Sequence, residues 1–284
     1  MLPRAIARHR LLLVAITVTA TAGATLASGA AAHAQTRASQ SRANATEVSY
    51  VALGDSYSSG LGAGDEGDGN CDQSPNAYTA LWAAQNDPAS YVTEACSGAT
   101  TSDVISSQLG ALSDSTSLVS ITVGGNDVGF TSVMETCVLE STSSCVSAID
   151  QAESEMRSEL PGALDTTFAD INADAPNAAV VVLGYPELYD LSQSSGCIGL
   201  STTDRTDLNQ AADELDNTIQ TAAQQEGDTF ADVRSQFDGH QICDSDSWLH
   251  SVNWFDIDES YHPTAAGQAD GYLPVFSKAA ADAG

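Results

Sequence analysis

Ser56, His262, Gly98 and Asn126 are the residues whose types and settings could do chemistry together. A serine hydroxyl is a weak nucleophile. It needs a base within hydrogen-bond reach and donors for the oxyanion that its attack creates. Ser56 follows directly on an apolar run, residues 48–53, closed by Gly54-Asp55. His262, ahead of Pro263, is the candidate base. The backbone N–H groups of Ser56 and Gly98 and the side-chain amide of Asn126 are candidate oxyanion donors. Such a set performs acyl transfer with no metal and no organic cofactor. Each stretch is ordinary alone: Gly-Asp-Ser and Gly-Gly-Asn-Asp are common turns, Ser97-Gly98 is a helix entry, and a histidine before proline is a loop residue. All four together are not ordinary. His240 and His250 compete as bases but lie beside Cys243 without comparable surroundings. The Gly-x-Ser-x-Gly elbow is excluded, because Ser58 stands where its second glycine belongs.

The elements that must position these residues alternate. Apolar runs at 48–53, 91–95, 118–123, 178–183 and 230–233 read as strands. Helical patterns occupy 76–85, 146–173 (broken near Pro161-Gly162), 202–226 with Gly227 as its stop, and 265–281 with Pro274 kinking or ending it. Residues 137–145 read as a short stapled excursion. The alternation implies an α/β protein with a mostly parallel five-stranded sheet in flavodoxin-like order. Right-handed crossovers then bring Ser56, Gly98 and Asn126 to one edge of that sheet. Asp68-x-Asn70-x-Asp72 lacks the glycine and the closing glutamate of a calcium loop.

The surroundings of this domain point outward. Arg4, Arg8 and Arg10 precede an apolar stretch, 11–27, and Ala32-His33-Ala34 offers a cleavage site. Residues 1–34 are therefore expected to be a secretory signal peptide, 35–46 a flexible leader and 47–284 one domain. No other stretch is apolar and long enough to span a membrane. The six cysteines, Cys71, Cys96, Cys137, Cys145, Cys197 and Cys243, suit disulfides in an exported chain. They allow fifteen pairings, among which the sequence does not choose; nearest-in-order pairing is the working expectation. No CxxC spacing supports a metal site. All 38 acidic residues lie after the leader, against Arg157, Arg205, Arg234 and Lys278, so the domain carries about −34 (38 − 4). Nucleic acid and anionic membranes are excluded as partners. A monomer is the expected state, and a saline habitat and an ordinary acidic secreted protein both fit the charge.

Gly54-Asp55-Ser56, Gly98, Gly125-Asn126-Asp127 and His262-Pro263, in this order, resemble the SGNH (GDSL) hydrolase superfamily across the whole mature chain. Gly-Asp-Ser-Tyr-Ser-Ser-Gly, Cys-Ser-Gly-Ala-Thr and six cysteines are similar to its secreted actinobacterial lipases, esterases and phospholipases. The resemblance implies a three-layer α/β/α fold, Ser56 as nucleophile, His262 as base, Ser56, Gly98 and Asn126 as the oxyanion hole, hydrolysis of carboxylic esters, and sequential disulfides. Two positions depart from the family pattern. Tyr57 replaces the leucine after Gly-Asp-Ser. Glu259 holds the place of the aspartate three residues before the histidine, so either Glu259 or a backbone carbonyl such as that of Ser260 would orient His262. An acetyl esterase acting on polysaccharide, using Trp248, Trp254 and Phe255 as a sugar platform, and an inactive extracellular binding protein are the alternatives.

Overall fold

The computed structural model describes residues 48–193 and 199–283. The expected signal peptide, the leader and Cys197 lie outside the described residues. Five parallel strands, β1 (Ser49–Gly54), β2 (Ser90–Thr93), β3 (Leu118–Thr122), β4 (Ala179–Leu183) and β5 (Thr229–Ala231), form one sheet in the order β2-β1-β3-β4-β5. That is the flavodoxin-like order, with β1 central between β2 and β3. Ala52 stands level with Thr93 on one side and Ser120 on the other.

The helices are α1 (Ser56–Ser59), α2 (Tyr78–Asn86), α3 (Phe130–Leu139), α4 (Thr142–Ser158), α5 (Leu160–Asp174), α6 (Thr202–Glu226) and α7 (Leu273–Ala283). On one face, Tyr50 of β1 stacks on Phe276 of α7 and meets Trp82 of α2 edge-on. On the other, α5 and α6 pack together, and α6 reaches β4 and β5. Both faces of the sheet are thus covered, as parallel strands without solvent exposure require. Burial of large side chains such as Phe168, Phe237 and Phe276 stabilises the fold by about 1.5–3 kcal/mol each.

In β3, Val119 and Ile121 alternate with Ser120 and Thr122, yet neither face is wet. Ser120 and Thr122 are fully buried. Ser120 bonds the Tyr50 hydroxyl at 2.6 Å, and Thr122 bonds Ser58 at 2.8 Å. Serine and threonine are tolerated there because tyrosine and serine hydroxyls opposite satisfy them.

Local sequence explains the ends of α6. Ser201 and Asp204 form a capping box, and Gly227 closes the helix in a left-handed conformation. Two expectations need correction. Residues 137–145 are no excursion: Cys137 lies in the last turn of α3, Cys145 in the first turn of α4, and the disulfide staples the two helices across a two-residue turn. Pro274 does not end the last helix. A π-helical turn, Gly267–Tyr272, leads into α7 with Pro274 as its second residue. Proline frees the carbonyl four residues back. That carbonyl, on Asp270, accepts a bond from Gln236 Nε2 at 2.9 Å.

Candidate active site

The strand ends deliver the site. β1 stops at Gly54, whose φ is 114° and where a Cβ would meet the Thr122 carbonyl oxygen at 2.2 Å, so only glycine lets β1 and β3 close up here. Asp55 then caps α1, accepting from the Tyr57 N–H at 3.0 Å. This places Ser56 as the first residue of α1, at the carboxyl edge of the sheet.

His262 arrives from far along the chain. Its Nδ1 donates to the Ser260 carbonyl at 3.1 Å. A carbonyl only accepts, so the proton sits on Nδ1 and Nε2 keeps its lone pair. The Ser56 hydroxyl donates to that Nε2 at 2.7 Å. Burial pushes the imidazole pKa down to about 4, against the opposing pull of the Ser260 carbonyl. The ring is therefore a neutral acceptor at ordinary pH.

The two open possibilities for orienting His262 are told apart by position. Glu259 does not reach the ring; its carboxylate accepts from Asn253 Nδ2 at 3.0 Å. The Ser260 carbonyl occupies the place on Nδ1. The competing histidines are engaged elsewhere. His250 Nε2 donates to the Gly62 carbonyl at 2.7 Å, and His240 stacks on Trp248 with centroids 3.6 Å apart.

Ser56, Gly98, Asn126 and His262 line one cavity of about 520 Å³. Gly98 has a φ of 79°, and its N–H, like that of Ser56, is engaged by no hydrogen bond among the described residues. Asn126 Nδ2 donates to the Ala99 carbonyl at 3.0 Å, which aims the amide and leaves its second N–H for a ligand. Asp127, the next residue, accepts from the Thr101 N–H. The loops after β2 and β3 are thus tied to each other. The Cys71–Cys96 disulfide and the Ser97 N–H to Cys71 carbonyl bond, 3.1 Å, hold the first of them from behind. The second expected bridge, Cys137–Cys145, is also present. Cys243 is disulfide-bonded, and its expected partner Cys197 lies outside the described residues.

Sequence reasoning missed the supports beneath these groups. The Tyr185 hydroxyl donates to Asp55 Oδ2, and Thr122 donates to Oδ1 at 2.7 Å. Burial pushes the Asp55 carboxyl up to about 6 despite these donors. Asp216 of α6 takes the Tyr185 N–H at 2.8 Å, so the long helix fixes Tyr185, and Tyr185 fixes Asp55. Tyr57 has a use that leucine could not supply. Its hydroxyl donates to the Tyr261 carbonyl at 2.7 Å, where the chain turns into His262 with a φ of 68°. Tyrosines within three residues of a glycine at a strand end were the available signal, but their targets are set only by the fold.

A serine hydroxyl bonded to a neutral imidazole of fixed tautomer, with two unengaged N–H groups and a side-chain amide on the same cavity, is an arrangement suited to acyl transfer. The GDSL-like Lipase/Acylhydrolase family model matches residues 52–269. The chain belongs to this family. It is 53% identical over 244 residues to Lipase 1 of Streptomyces coelicolor, covering 85% of this chain and 90% of that one. A crystal structure of phospholipase A1 from Streptomyces albidoflavus NA297 superposes with a TM-score of 0.80 at 52% identity, over 82% of this chain and 100% of that one. The extracellular lipase of Streptomyces rimosus gives 0.80 at 46% identity, over 82% and 99%. As a member of this family, the protein is a carboxylic ester hydrolase. Its apolar cavity is lined beyond Ser56 by Val133, Met134, Met156, Leu208, Ala211 and Leu215 of helices α3, α4 and α6.

Proposed function

We propose that this GDSL-family hydrolase is an exported, monomeric lipase that cleaves acyl esters of lipids through a Ser56–His262 dyad. The observation that carries this reading is the 2.7 Å bond from Ser56 Oγ to a neutral His262 Nε2 beside an aliphatic cavity of about 520 Å³. That volume lies within the usual range for a small-molecule site.

In the proposed mechanism His262 takes the Ser56 proton as Oγ attacks the ester carbonyl. The oxyanion rests against the N–H groups of Ser56 and Gly98 and the free amide hydrogen of Asn126. His262 returns the proton to the leaving alcohol, which departs as the C–O bond breaks. Water then attacks the acyl-enzyme by the same route, releasing the acid and restoring Ser56. The Ser260 carbonyl stabilises the imidazolium that forms in each half-reaction. Export is supported by disulfides on this domain and by the extracellular relative.

The sugar-ester alternative loses Trp248, which packs edge-on to Phe237 and against His240, while Trp254 lines the same cavity as Ser56 and Phe255 faces solvent. The test is a rate panel of p-nitrophenyl esters from acetyl to palmitoyl, with a phosphatidylcholine emulsion, at low and molar salt, beside Ser56→Ala. Turnover should peak at medium or long chains, and phosphatidylcholine cleavage decides phospholipase activity. Turnover confined to acetyl, or none from folded protein, contradicts the proposal.

A further inference from the structure

The four most exposed large apolar residues among the described ones are Phe255, Trp254, Leu139 and Ile257. Phe255 is fully exposed, Trp254 and Leu139 are each 67% exposed, and Ile257 is 54% exposed. Their placement is not scattered. Trp254, Ile257 and Leu139 line the same cavity as Ser56, and Phe255 follows Trp254. Two separate elements, the loop before His262 and the end of α3, bring apolar side chains to the mouth of one site. Exposed apolar groups concentrated in this way mark an interaction surface.

The loop is held together by its own residues. The Asn253 N–H donates to Ser260 Oγ at 2.9 Å, and Asn253 Nδ2 donates to Glu259 at 3.0 Å. The Phe255 N–H donates to Asn253 Oδ1 at 3.1 Å. At its root the His250 N–H donates to the His262 carbonyl at 2.9 Å. The tip is thus presented outward from the same segment that supplies the base. On the other side, the Cys137–Cys145 disulfide fixes the end of α3 two residues before Leu139.

Charge selects the partner. Asp256 and Asp258 alternate with the apolar residues of the tip. None of the four Lys and Arg residues among the described ones belongs to this patch or lines the cavity. Arg157, Arg234 and Lys278 are ion-paired, and Arg205 is buried. An anionic bilayer is repelled, whereas a zwitterionic one is not. We propose that Trp254, Phe255, Ile257 and Leu139 form a docking surface for a zwitterionic lipid layer, which lets an acyl chain pass from the layer into the cavity without crossing water. This inference rests on the lipolytic reading of the site.

The experiment uses vesicles of phosphatidylcholine alone or with phosphatidylglycerol. Binding is followed by co-sedimentation and by tryptophan fluorescence, to which Trp82 and Trp248 also contribute, in Ser56→Ala protein, which leaves the lipid intact. Phe255→Ser is compared in both the active and the Ser56→Ala background. Phe255 does not line the cavity, so kcat/KM on soluble p-nitrophenyl butyrate should stay within about twofold. Partitioning onto phosphatidylcholine should fall roughly ten- to hundredfold, the scale of burying one large apolar side chain. Phosphatidylglycerol should weaken binding by the parent at low salt. Unchanged partitioning in Phe255→Ser, or preference for the anionic vesicles, overturns the proposal. So does a dimer that Phe255→Ser dissociates in a protein that binds no vesicles, since a second copy would then own the patch. Turnover of soluble long-chain esters without vesicle binding overturns the docking surface and leaves the esterase reading standing. Vesicle binding lost in Phe255→Ser, with no lipid-ester turnover by active protein, supports the docking surface and contradicts the lipolytic reading.

Discussion

At the residue scale, the question the sequence leaves open is what orients His262. Glu259 stands where an aspartate is usual, so residue type favours it. A backbone carbonyl has no residue signature at all, which is why Ser260 could not be chosen by reading. The fold gives Nδ1 to Ser260 and Glu259 to Asn253. Glu259→Gln should therefore keep kcat within about threefold in ester-hydrolysis assays. A loss approaching ~10⁴-fold, the scale for removing a true third triad member, would contradict the dyad. The pH profile adds a second check. His262 is pushed down to about 4 by burial, so it stays a competent base until protons bind near that pH. kcat/KM should hold from neutral pH to about 5 and fall tenfold per unit below about 4. An acid limb near 6.5 that survives in Asp55→Asn would contradict it. The same shift acts on stability with a definite sign. Between about 6.5 and about 4 the unfolded chain binds a proton here that the folded chain refuses, so this group's contribution is present above 6.5 and lost as pH falls toward 4. Ser56, Gly98, Asn126 and His262 could be singled out as candidates because each sits at a strand or loop end beside glycine or proline. Tyr185 and Asp216 were not, because they act across sheet and helix.

At the element scale, legibility followed the strength of local signals. The boundaries of α6 could be read because Ser201, Asp204 and Gly227 mark them chemically. The first half of α3 escaped notice: Gly129 precedes it without a side-chain cap. Of the two outcomes expected at Pro274, ending the helix is the one that fails, because the carbonyl it frees is bonded by Gln236, distant in sequence. The disulfides give an element-level prediction. Cys71–Cys96 spans 25 residues and Cys137–Cys145 spans 8. Loop-closure entropy values them at roughly 3.5 and roughly 2.5 kcal/mol. Replacing Cys71 and Cys96 by alanine should lower the denaturation midpoint more than replacing Cys137 and Cys145. It should also lower kcat on a short soluble ester, because it releases the Gly98 loop, whereas the second pair should leave that kcat near normal. Equal kcat in both double variants would separate the bridge from the site.

At the scale of the whole molecule, the sheet order was legible because alternation of strand and helix with right-handed crossovers leaves few arrangements. Coverage of both faces of the sheet follows from the same alternation, but the partners of Ser120 and Thr122 do not, since Tyr50, Tyr78 and Ser58 come opposite them only in the fold. Charge is a property only the whole molecule has. About −34 on residues 47–284 implies self-repulsion that salt screens. The thermal midpoint should rise between about 0.05 and about 1 M sodium chloride, measured by circular dichroism. A midpoint that is flat or falls over that range would show that the acidic surface is not a net cost to the fold.

The central claim is that Ser56 is the nucleophile served by His262. A p-nitrophenyl alkylphosphonate, which phosphonylates an activated serine as p-nitrophenolate leaves, tests it most directly when the modified peptide is located by mass spectrometry. One equivalent on Ser56, with activity lost in proportion and no labelling of His262→Ala, is the predicted result. Labelling of another residue, or full ester hydrolysis by protein carrying the adduct on Ser56, would contradict the account.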